Sequence, residues 1–203
     1  MKKWIYSLGV VTLSLFIMLR FTYANPSFIT FDERWAKLLG GNELLIFFHY
    51  IGEPIFVVIV ALILVIWQWR KGNYYAIVFV LLTIAVGNAL NQLLKNLIER
   101  PRPEIANQLL SFSFPSGHSM TGALYLLTIA YLLSEGLGRS KKALIIWLVA
   151  LILVCLIGLS RIAESRHFAT DVLAGWSMGY TWFVVCMIWY ERAKKKKKVA
   201  SLL

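Results

Sequence analysis

Two histidines and a carboxylate carry the clearest chemistry in this sequence. His167 and Asp171 are four residues apart at the start of an apolar run, so on a helix they share one face and lie within reach of each other. A carboxylate that holds one ring nitrogen of a histidine fixes its tautomer and leaves the other nitrogen free to attack. We therefore predict that His167 is a nucleophile and that Asp171 orients it.

His118 ends the string PSGH at 115–118, directly before another long apolar run. Gly117 lets the backbone approach a ligand closely, and the free amides at the start of the following helix, with the Ser116 hydroxyl, point toward an anion. At the mouth of that helix, His118 can protonate a leaving oxygen. The string predicts an anion-binding turn that also carries a general acid.

Three separated cations, Lys95, Arg102 and Arg161, complete the candidate site. A guanidinium presents a fork of donors that matches the oxygens of a phosphate. We predict that these side chains, with Ser116 and Gly117, bind a tetrahedral phosphate. The neighbouring strings hold too few carboxylates for a magnesium site, so we expect no metal.

Membrane-spanning helices are the elements that must position these residues. Of the 203 residues, 59% are hydrophobic and 15% charged, with a mean hydropathy of +0.69. A helix needs roughly 20 mostly apolar residues to cross a bilayer. Six such runs fit, at about 4–19, 54–69, 74–94, 119–133, 143–159 and 170–190. We predict an all-α fold, a polytopic membrane helical bundle with six transmembrane helices in one domain of residues 1–203.

The segments outside these runs have distinct compositions. Residues from about 25 to 53 alternate charged and large apolar residues at helical spacing, which predicts an amphipathic segment on the outer surface. Residues 191–203 form a basic tail. The run at 4–19 has features of a signal peptide, but Arg20 separates it from the small residues that follow, so we expect an uncleaved span.

Charge sets the expected orientation. With six spans, both termini lie on one side, and the positive-inside bias makes that side cytoplasmic because it collects basic residues. These are Lys2, Lys3, Arg70, Lys71, Arg139, Lys141, Lys142 and the tail from Arg192. Topology and anionic lipid thus account for the net charge of +11 without nucleic acid as a partner. The cations of the candidate site lie on the outer face against this bias, which indicates anion binding.

Taken together, the three strings resemble the signature of the type 2 phosphatidic acid phosphatase and haloperoxidase superfamily. The first string has Lys95, six residues and then Arg102-Pro103; the second is PSGH. The third has Ser160-Arg161, five residues, His167, three residues and Asp171. Every position of the signature is matched, in order and between predicted spans.

The resemblance implies a role for each matched residue. In such enzymes the residue matching His167 attacks phosphorus to form a phosphohistidine, and the one matching Asp171 orients it. The match to His118 protonates the leaving oxygen and then helps water to cleave the intermediate. The remaining matches bind the phosphoryl oxygens and stabilise the transition state without a metal or other cofactor: Lys95, Arg102, Ser116, Gly117 and Arg161.

The resemblance also implies a substrate class, a lipid phosphate in a bacterial cell membrane, with membrane lipids as the surroundings. We favour hydrolysis of phosphatidylglycerophosphate to phosphatidylglycerol at the outer face. The alternative within the family is an undecaprenyl pyrophosphate phosphatase that recycles the cell-wall lipid carrier. A non-catalytic lipid-phosphate transporter is the alternative from another class, since six spans with polar residues could move a lipid across the bilayer.

Residues outside the signature receive weaker predictions. We expect Asn88 and Asn91 to hydrogen-bond between helices rather than to line the pocket. Glu164 and Arg166 are predicted at the rim of the pocket, and His49 away from the substrate.

Overall fold

The computed structural model describes residues 2–200, and the side chains of residues 4–197. Its α-helices are α1 (Lys2–Thr22), α2 (Pro26–Leu39), α3 (Glu43–Ile46), α4 (Pro54–Arg70), α5 (Tyr74–Val80), α6 (Gly87–Ile98), α7 (Gly117–Ser134), α8 (Lys141–Ala163) and α9 (Ala169–Ala200). A 3₁₀ segment, Phe47–Gly52, precedes α4, and a π-helical segment, Leu81–Val86, joins α5 to α6. The end of the predicted basic tail, 201–203, and the side chains of Lys2, Lys3 and Lys198 lie outside the described residues.

The helices confirm an all-α membrane bundle. Within the described residues, four stretches are long and apolar enough to cross a bilayer, namely Trp4–Thr22, Tyr74–Ile98, Lys141–Ala163 and Ala169–Lys197. The 3₁₀ segment with the helix before it, together with α4, forms a fifth if this pair, bent by 48°, is one span. The sixth predicted span coincides with α7, which does not meet this test. Six as the number of spans stays a prediction.

α7 differs from the other helices because protein surrounds it. It packs against both α8 and α9, and most of its side chains are buried. Its serine and threonine residues are therefore shielded from lipid; the Thr128 hydroxyl, for example, donates to the Leu124 carbonyl at 2.7 Å. This internal position explains why α7 is less apolar than the lipid-facing helices.

Two glycines let α9 approach the backbone of α7. A Cβ at Gly175 would lie 2.7 Å from the carbonyl oxygen of Ser116, and one at Gly179 would lie 2.9 Å from that of Met120. Small residues four apart are a common means of close helix packing in membranes. Directly above this contact, the Ser116 amide donates to the Asp171 carbonyl oxygen at 3.0 Å. The beginning of α7 is thus fixed against the beginning of α9.

The predicted amphipathic segment is divided into α2, α3 and the 3₁₀ segment, with a break at Gly41, whose φ is +73°. On the apolar face of α2, Phe31, Trp35 and Leu39 pack against a small core of α8 and α9 residues. α2 therefore lies directly against the elements that carry the third signature string.

The π-helical segment widens one turn of the span between Tyr74 and Ile98. The indole of Trp182 donates to the carbonyl oxygen of Leu82 at 2.9 Å within this turn. Single π-helical turns are frequent near functional sites. Here the turn lies on the wall of the cavity described below.

The contact between α7 and α9 leads to a prediction about stability. Gly175→Ala places a methyl group against backbone that cannot move aside easily, and we expect a loss of about 1–3 kcal/mol. The apparent melting temperature of the purified protein in detergent measures this loss. Val149→Leu, which adds one carbon at an exposed position of α8, serves as the control and should leave the melting temperature unchanged. Equal melting temperatures for the two variants would contradict the tight contact.

Candidate active site

The signature residues meet in one cavity where α6, α7, α8 and α9 begin or end. The cavity has a volume of about 550 Å³. Six of the eight predicted site residues line it, namely Lys95, Arg102, Gly117, His118, Arg161 and His167. Ser116 and Asp171 do not line the cavity and are fully buried. The three strings, of which the second and third are separated by the 41 residues 119–159, thus form a single site.

His167 is held with one nitrogen available for attack. Its Nε2 lies 3.1 Å from Nη1 of Arg102, and because a guanidinium only donates, Nε2 carries the lone pair. Its Nδ1 lies 3.4 Å from Oδ2 of Asp171, at the limit of hydrogen-bond distance and without good alignment. Nδ1 of the ring thus faces the carboxylate of Asp171, as the four-residue spacing predicts, and Nε2 faces the opposite way.

Burial is the main cause that holds the pKa of His167 well below its usual value, and the cations Arg102, Lys95 and Arg161 add to it. The imidazole is therefore neutral at physiological pH. A neutral imidazole with a free lone pair is the form in which a histidine acts as a nucleophile.

Asp171 is itself held by neighbours. It accepts from Nη1 of Arg100 at 2.6 Å and from the Phe168 amide at 2.9 Å. Arg100 also donates to Asp32 of α2 at 2.9 Å. Neither Arg100 nor Asp32 belongs to the three-string signature, and Asp32 lies on the apolar face of α2, where a carboxylate is unexpected.

The cations are fixed mainly by backbone carbonyl oxygens. Lys95 donates to the Phe112 carbonyl. Arg102 donates to the carbonyl oxygens of Ser111 and Arg166 at 2.6 and 2.7 Å. Burial, and next the repulsion of Arg161, lowers the pKa of Arg102 to about 10, so its charge is retained at neutral pH. These bonds shape the loop around the cavity and leave the cations facing into it.

Three buried side-chain atoms have no hydrogen-bond partner within the described residues: Asn91 Oδ1, Arg161 Nε and His167 Nδ1. Buried polar atoms in proteins are nearly always paired. Arg161 and His167 line the cavity, and Asn91 Oδ1 lies behind Gly117, 3.3 Å from where a Cβ would stand. His167 Nδ1 faces Asp171, whereas unpaired polar atoms next to a cavity, as at Arg161 and Asn91, are typical of a ligand site.

His118 has a carboxylate partner that the sequence analysis did not identify. Its Nε2 lies 3.3 Å from Oε1 of Glu53, the residue before α4. Gly52 packs so closely on the ring that a Cβ there would lie 2.8 Å from Cδ2 of His118. Because Glu53 belongs to no recognisable string and lies 65 residues away, only the fold brings it to His118.

Several other residues differ in detail from their predicted places. The Ser116 hydroxyl accepts from Ser119 at 2.9 Å behind the cavity wall, rather than facing the cavity. Asn91 donates to the Pro115 carbonyl oxygen at 3.3 Å, as predicted for a residue that packs helices. Asn88 instead lines the cavity, so its predicted packing role is wrong. Glu164, predicted at the rim, pairs with Arg161.

The fold and the site together define a membrane-spanning helical protein with an anion-binding cavity that contains histidine and cationic side chains. The family model of the PAP2 superfamily matches residues 76–195, which is more than half of the chain. The chain therefore belongs to the PAP2 superfamily, which confirms the resemblance found in its three strings.

Similar proteins carry more specific names. Phosphatidylglycerophosphatase B of Bacillus subtilis is 40% identical over 118 residues, which are 57% of this chain and 58% of that protein, so the match spans less than two thirds of its length. Undecaprenyl-diphosphatase of Sulfolobus acidocaldarius is 26% identical over 98% of this chain and 96% of that protein. A crystal structure of a transmembrane PAP2 type phosphatidylglycerolphosphate phosphatase from Bacillus subtilis aligns with a TM-score of 0.82 and 29% identity, covering 91% of this chain and 96% of that one.

The lowered pKa of His167 leads to a prediction about stability and pH. An unfolded histidine titrates near about 6.5, so below that pH the unfolded chain binds more protons than the folded chain. Stability therefore falls as the pH drops below about 6.5, by up to roughly 1.4 kcal/mol per pH unit for one such group. His167→Gln should flatten this decline in the apparent melting temperature between pH 6.5 and 5. The control His49→Gln should retain it, and equal slopes in all three proteins would contradict the assignment.

Proposed function

We propose that this chain is a membrane lipid phosphate phosphatase that acts through a phosphohistidine. The observation that carries the proposal is the double character of the cavity, which is cationic at one end and apolar at the other. Such a cavity suits a molecule with a phosphate at one end and hydrocarbon at the other.

The apolar half of the cavity lies between α4 and the π-helical segment. It is lined by Val57, Val58, Ala61, Leu62, Val65, Val80, Leu81 and Ile84. Val58, Leu62 and Leu81 are about half exposed, so this wall of the cavity meets the lipid phase. An acyl or prenyl chain can occupy the groove while its phosphate reaches the cations, and the lipid can enter sideways from the bilayer.

The geometry supports a reaction in two steps. Nε2 of His167 attacks phosphorus, the P–O bond to the lipid breaks, and His118 gives a proton to the departing oxygen. Lys95, Arg102 and Arg161 bind the phosphoryl oxygens and stabilise the charge of the transition state. His118 then removes a proton from water, the oxygen of that water attacks phosphorus, and the P–N bond breaks to release inorganic phosphate.

This sequence requires His118 to be protonated when substrate is bound. The carboxylate of Glu53 at 3.3 Å and the negative charge of an incoming phosphate both favour the protonated imidazole. In the empty site, burial and next the charge of Arg161 hold the pKa of His118 well below its usual value, so the ring takes up its proton only with the phosphate bound.

Charge distribution supports an outward-facing site. Asn73, which follows the basic turn Arg70-Lys71, donates to the Tyr190 hydroxyl at 3.2 Å, and Lys194 pairs with Glu135. The basic loop and tail residues thus gather at the end of the bundle away from the cavity's cations. By the positive-inside bias, this end is cytoplasmic, together with both termini, and the site faces outward from a bacterial cell membrane.

Two amides on the wall of the groove favour a glycerophospholipid as substrate. Gln92 and Asn88 line the cavity, about 4.5 and 10.5 Å along the helix axis from Lys95. Within the part of the chain that the structure describes, neither side-chain amide has a hydrogen-bond partner. Below its terminal phosphate, phosphatidylglycerophosphate has a glycerol, a phosphodiester and ester carbonyls to pair with such groups. Hydrolysis of its phosphomonoester to phosphatidylglycerol is therefore the proposed reaction.

The second candidate is hydrolysis of undecaprenyl pyrophosphate. The name of the Sulfolobus relative, which aligns over nearly the whole chain, favours it. The same cations and histidines can act on a terminal phosphate of either lipid. A prenyl chain, however, offers the two amides nothing to bind.

His167→Ala tests the nucleophile. We expect release of phosphate from phosphatidylglycerophosphate in detergent to fall at least 1,000-fold, because the variant lacks the nucleophile of the proposed covalent intermediate. With ³²P-labelled lipid and an alkaline work-up, in which a P–N bond survives, wild type should retain label on histidine and His167→Ala should not. His49→Ala, whose ring bonds to the Ile46 carbonyl outside the cavity, is the matched control and should remain active.

Two outcomes would count against the reaction. Full activity of His167→Ala would remove the nucleophile, and a wild type inactive on every lipid phosphate would favour transport across vesicles instead. Activity should also be the same in excess chelator, because no group of three or more metal-binding side chains occurs among the described residues. Loss of activity in chelator that added Mg²⁺ restores would overturn the metal-independent mechanism.

A panel of lipid phosphates tests the substrate. We expect kcat/KM for phosphatidylglycerophosphate to exceed that for undecaprenyl pyrophosphate at least tenfold. Asn88→Leu and Gln92→Leu should each reduce this ratio several-fold, because the apolar side chain cannot pair with the glycerol region. Asn96→Leu, on the same helix but outside the cavity lining, is the control. A preference of the wild type for the polyprenyl substrate would reverse the ranking.

A further inference from the structure

A buried guanidinium connects two carboxylates next to the site. Arg100 donates to Oδ1 of Asp171 at 2.6 Å with one terminal nitrogen and to Oδ2 of Asp32 at 2.9 Å with the other. Cζ of Arg100 lies 4.4 Å from the centre of the Tyr23 ring and 4.2 Å from the centre of the Phe168 ring. Carboxylates and aromatic faces thus fix the guanidinium on several sides.

The second carboxylate comes from α2, far from the signature strings. Asp32 is buried and accepts from both the amide and the hydroxyl of Thr170, each at 2.8 Å. Arg100 donates to the same hydroxyl at 2.7 Å. Asp32, Arg100 and Thr170 therefore form a closed network around the first turn of α9, directly behind Asp171.

This network does not touch the cavity. Neither Asp32 nor Arg100 lines it, and both are separated from it by His167 and Asp171. A bound phosphate therefore does not meet either side chain. Any effect of the network on the reaction must pass through Asp171.

The physical effect of the network is to hold the Asp171 carboxylate in one orientation. An ionised carboxylate buried next to a neutral histidine is costly unless it is paired. Arg100 provides the pairing, and Asp32 holds the second arm of Arg100, so that the guanidinium cannot rotate away. An error of about 1 Å in a reacting group can cost about 100-fold in rate.

We propose that Asp32 and Arg100 are positioning residues, a carboxylate–guanidinium pair through which α2 holds Asp171 opposite Nδ1 of His167. The kinetic consequence rests on the proposed phosphatase function. The consequence for His167 does not rest on that function. An Asp171 carboxylate held opposite Nδ1 favours the proton on Nδ1, as does the Arg102 contact at Nε2, whether or not the chain hydrolyses a lipid. α2 is thereby a part of the active-site framework as well as a surface helix.

Asp32→Asn tests the proposal, with Glu33→Gln as the matched control on the exposed side of the same helix. Kinetics with a short-chain lipid phosphate should give a kcat that is about 10- to 100-fold lower and a KM within about twofold of wild type. ¹⁵N spectra of histidine-labelled protein should show His167 as the Nδ1–H tautomer in wild type and as a mixture in Asp32→Asn. Glu33→Gln should match wild type in both measurements.

A purely structural role gives a different result. If Asp32 only anchors α2, Asp32→Asn lowers the melting temperature but leaves kcat and the His167 spectrum as in wild type, and the proposal is overturned. Thr170→Val, which keeps the Asp32–Arg100 pair but removes one hydroxyl from the network, replaces Asp32→Asn if that variant does not fold, and should shift the same two readouts in the same direction. An inactive wild type in which Asp32→Asn still changes the tautomer would reject the phosphatase function and keep the positioning role.

Discussion

Positive charge that is held out of water is the constraint on which the rest of this structure depends. Lys95, Arg100 and Arg161 are each less than a tenth exposed and lie near one another. Buried cations are costly unless each has a partner. Each cation has its own partner. Lys95 donates to the Phe112 carbonyl oxygen, Arg100 pairs with two carboxylates, and Arg161 pairs with Glu164. Nε of Arg161 has no partner among the described residues, and both Lys95 and Arg161 line the cavity. An anionic ligand there would complete the pairing.

Meeting that constraint requires helix ends to be fixed against one another. Gly175 brings α9 against the backbone of Ser116, and Asn91 of α6 donates to the Pro115 carbonyl oxygen. Thr170 is bound to Asp32 of α2. Each contact joins two different elements at the same end of the bundle. The loops between them can therefore carry the reactive groups without a core of their own, because the helices determine where the loops begin and end.

The sequence predicted the all-α membrane bundle and six cavity-lining residues, because helix-length apolar runs and fixed spacings in three strings are local signals. It missed Arg100, Asp32 and Glu53, whose partners lie 65 to 138 residues away and follow no period. Asp32 had a signal that could have been used, since it falls between Phe28 and Trp35 on the apolar stripe of α2. The span predicted at α7 does not meet the length and hydropathy test for a membrane helix, because a helix surrounded by protein does not need to be apolar on every face.

The two halves of the cavity divide recognition from reaction. Under the proposed function, the cations and histidines bind a terminal phosphate. A phosphomonoester and a pyrophosphate share this group, so these residues do not distinguish the lipids named for the similar proteins. Any distinction must come from the groove, where Gln92 and Asn88 stand among aliphatic side chains. An unpaired amide in an apolar wall weakens the binding of pure hydrocarbon more than it strengthens the binding of an ester, because a polar group left buried without a partner is costly. Under the proposed function, this cost acts against the lipid whose hydrocarbon chain begins directly below its phosphates.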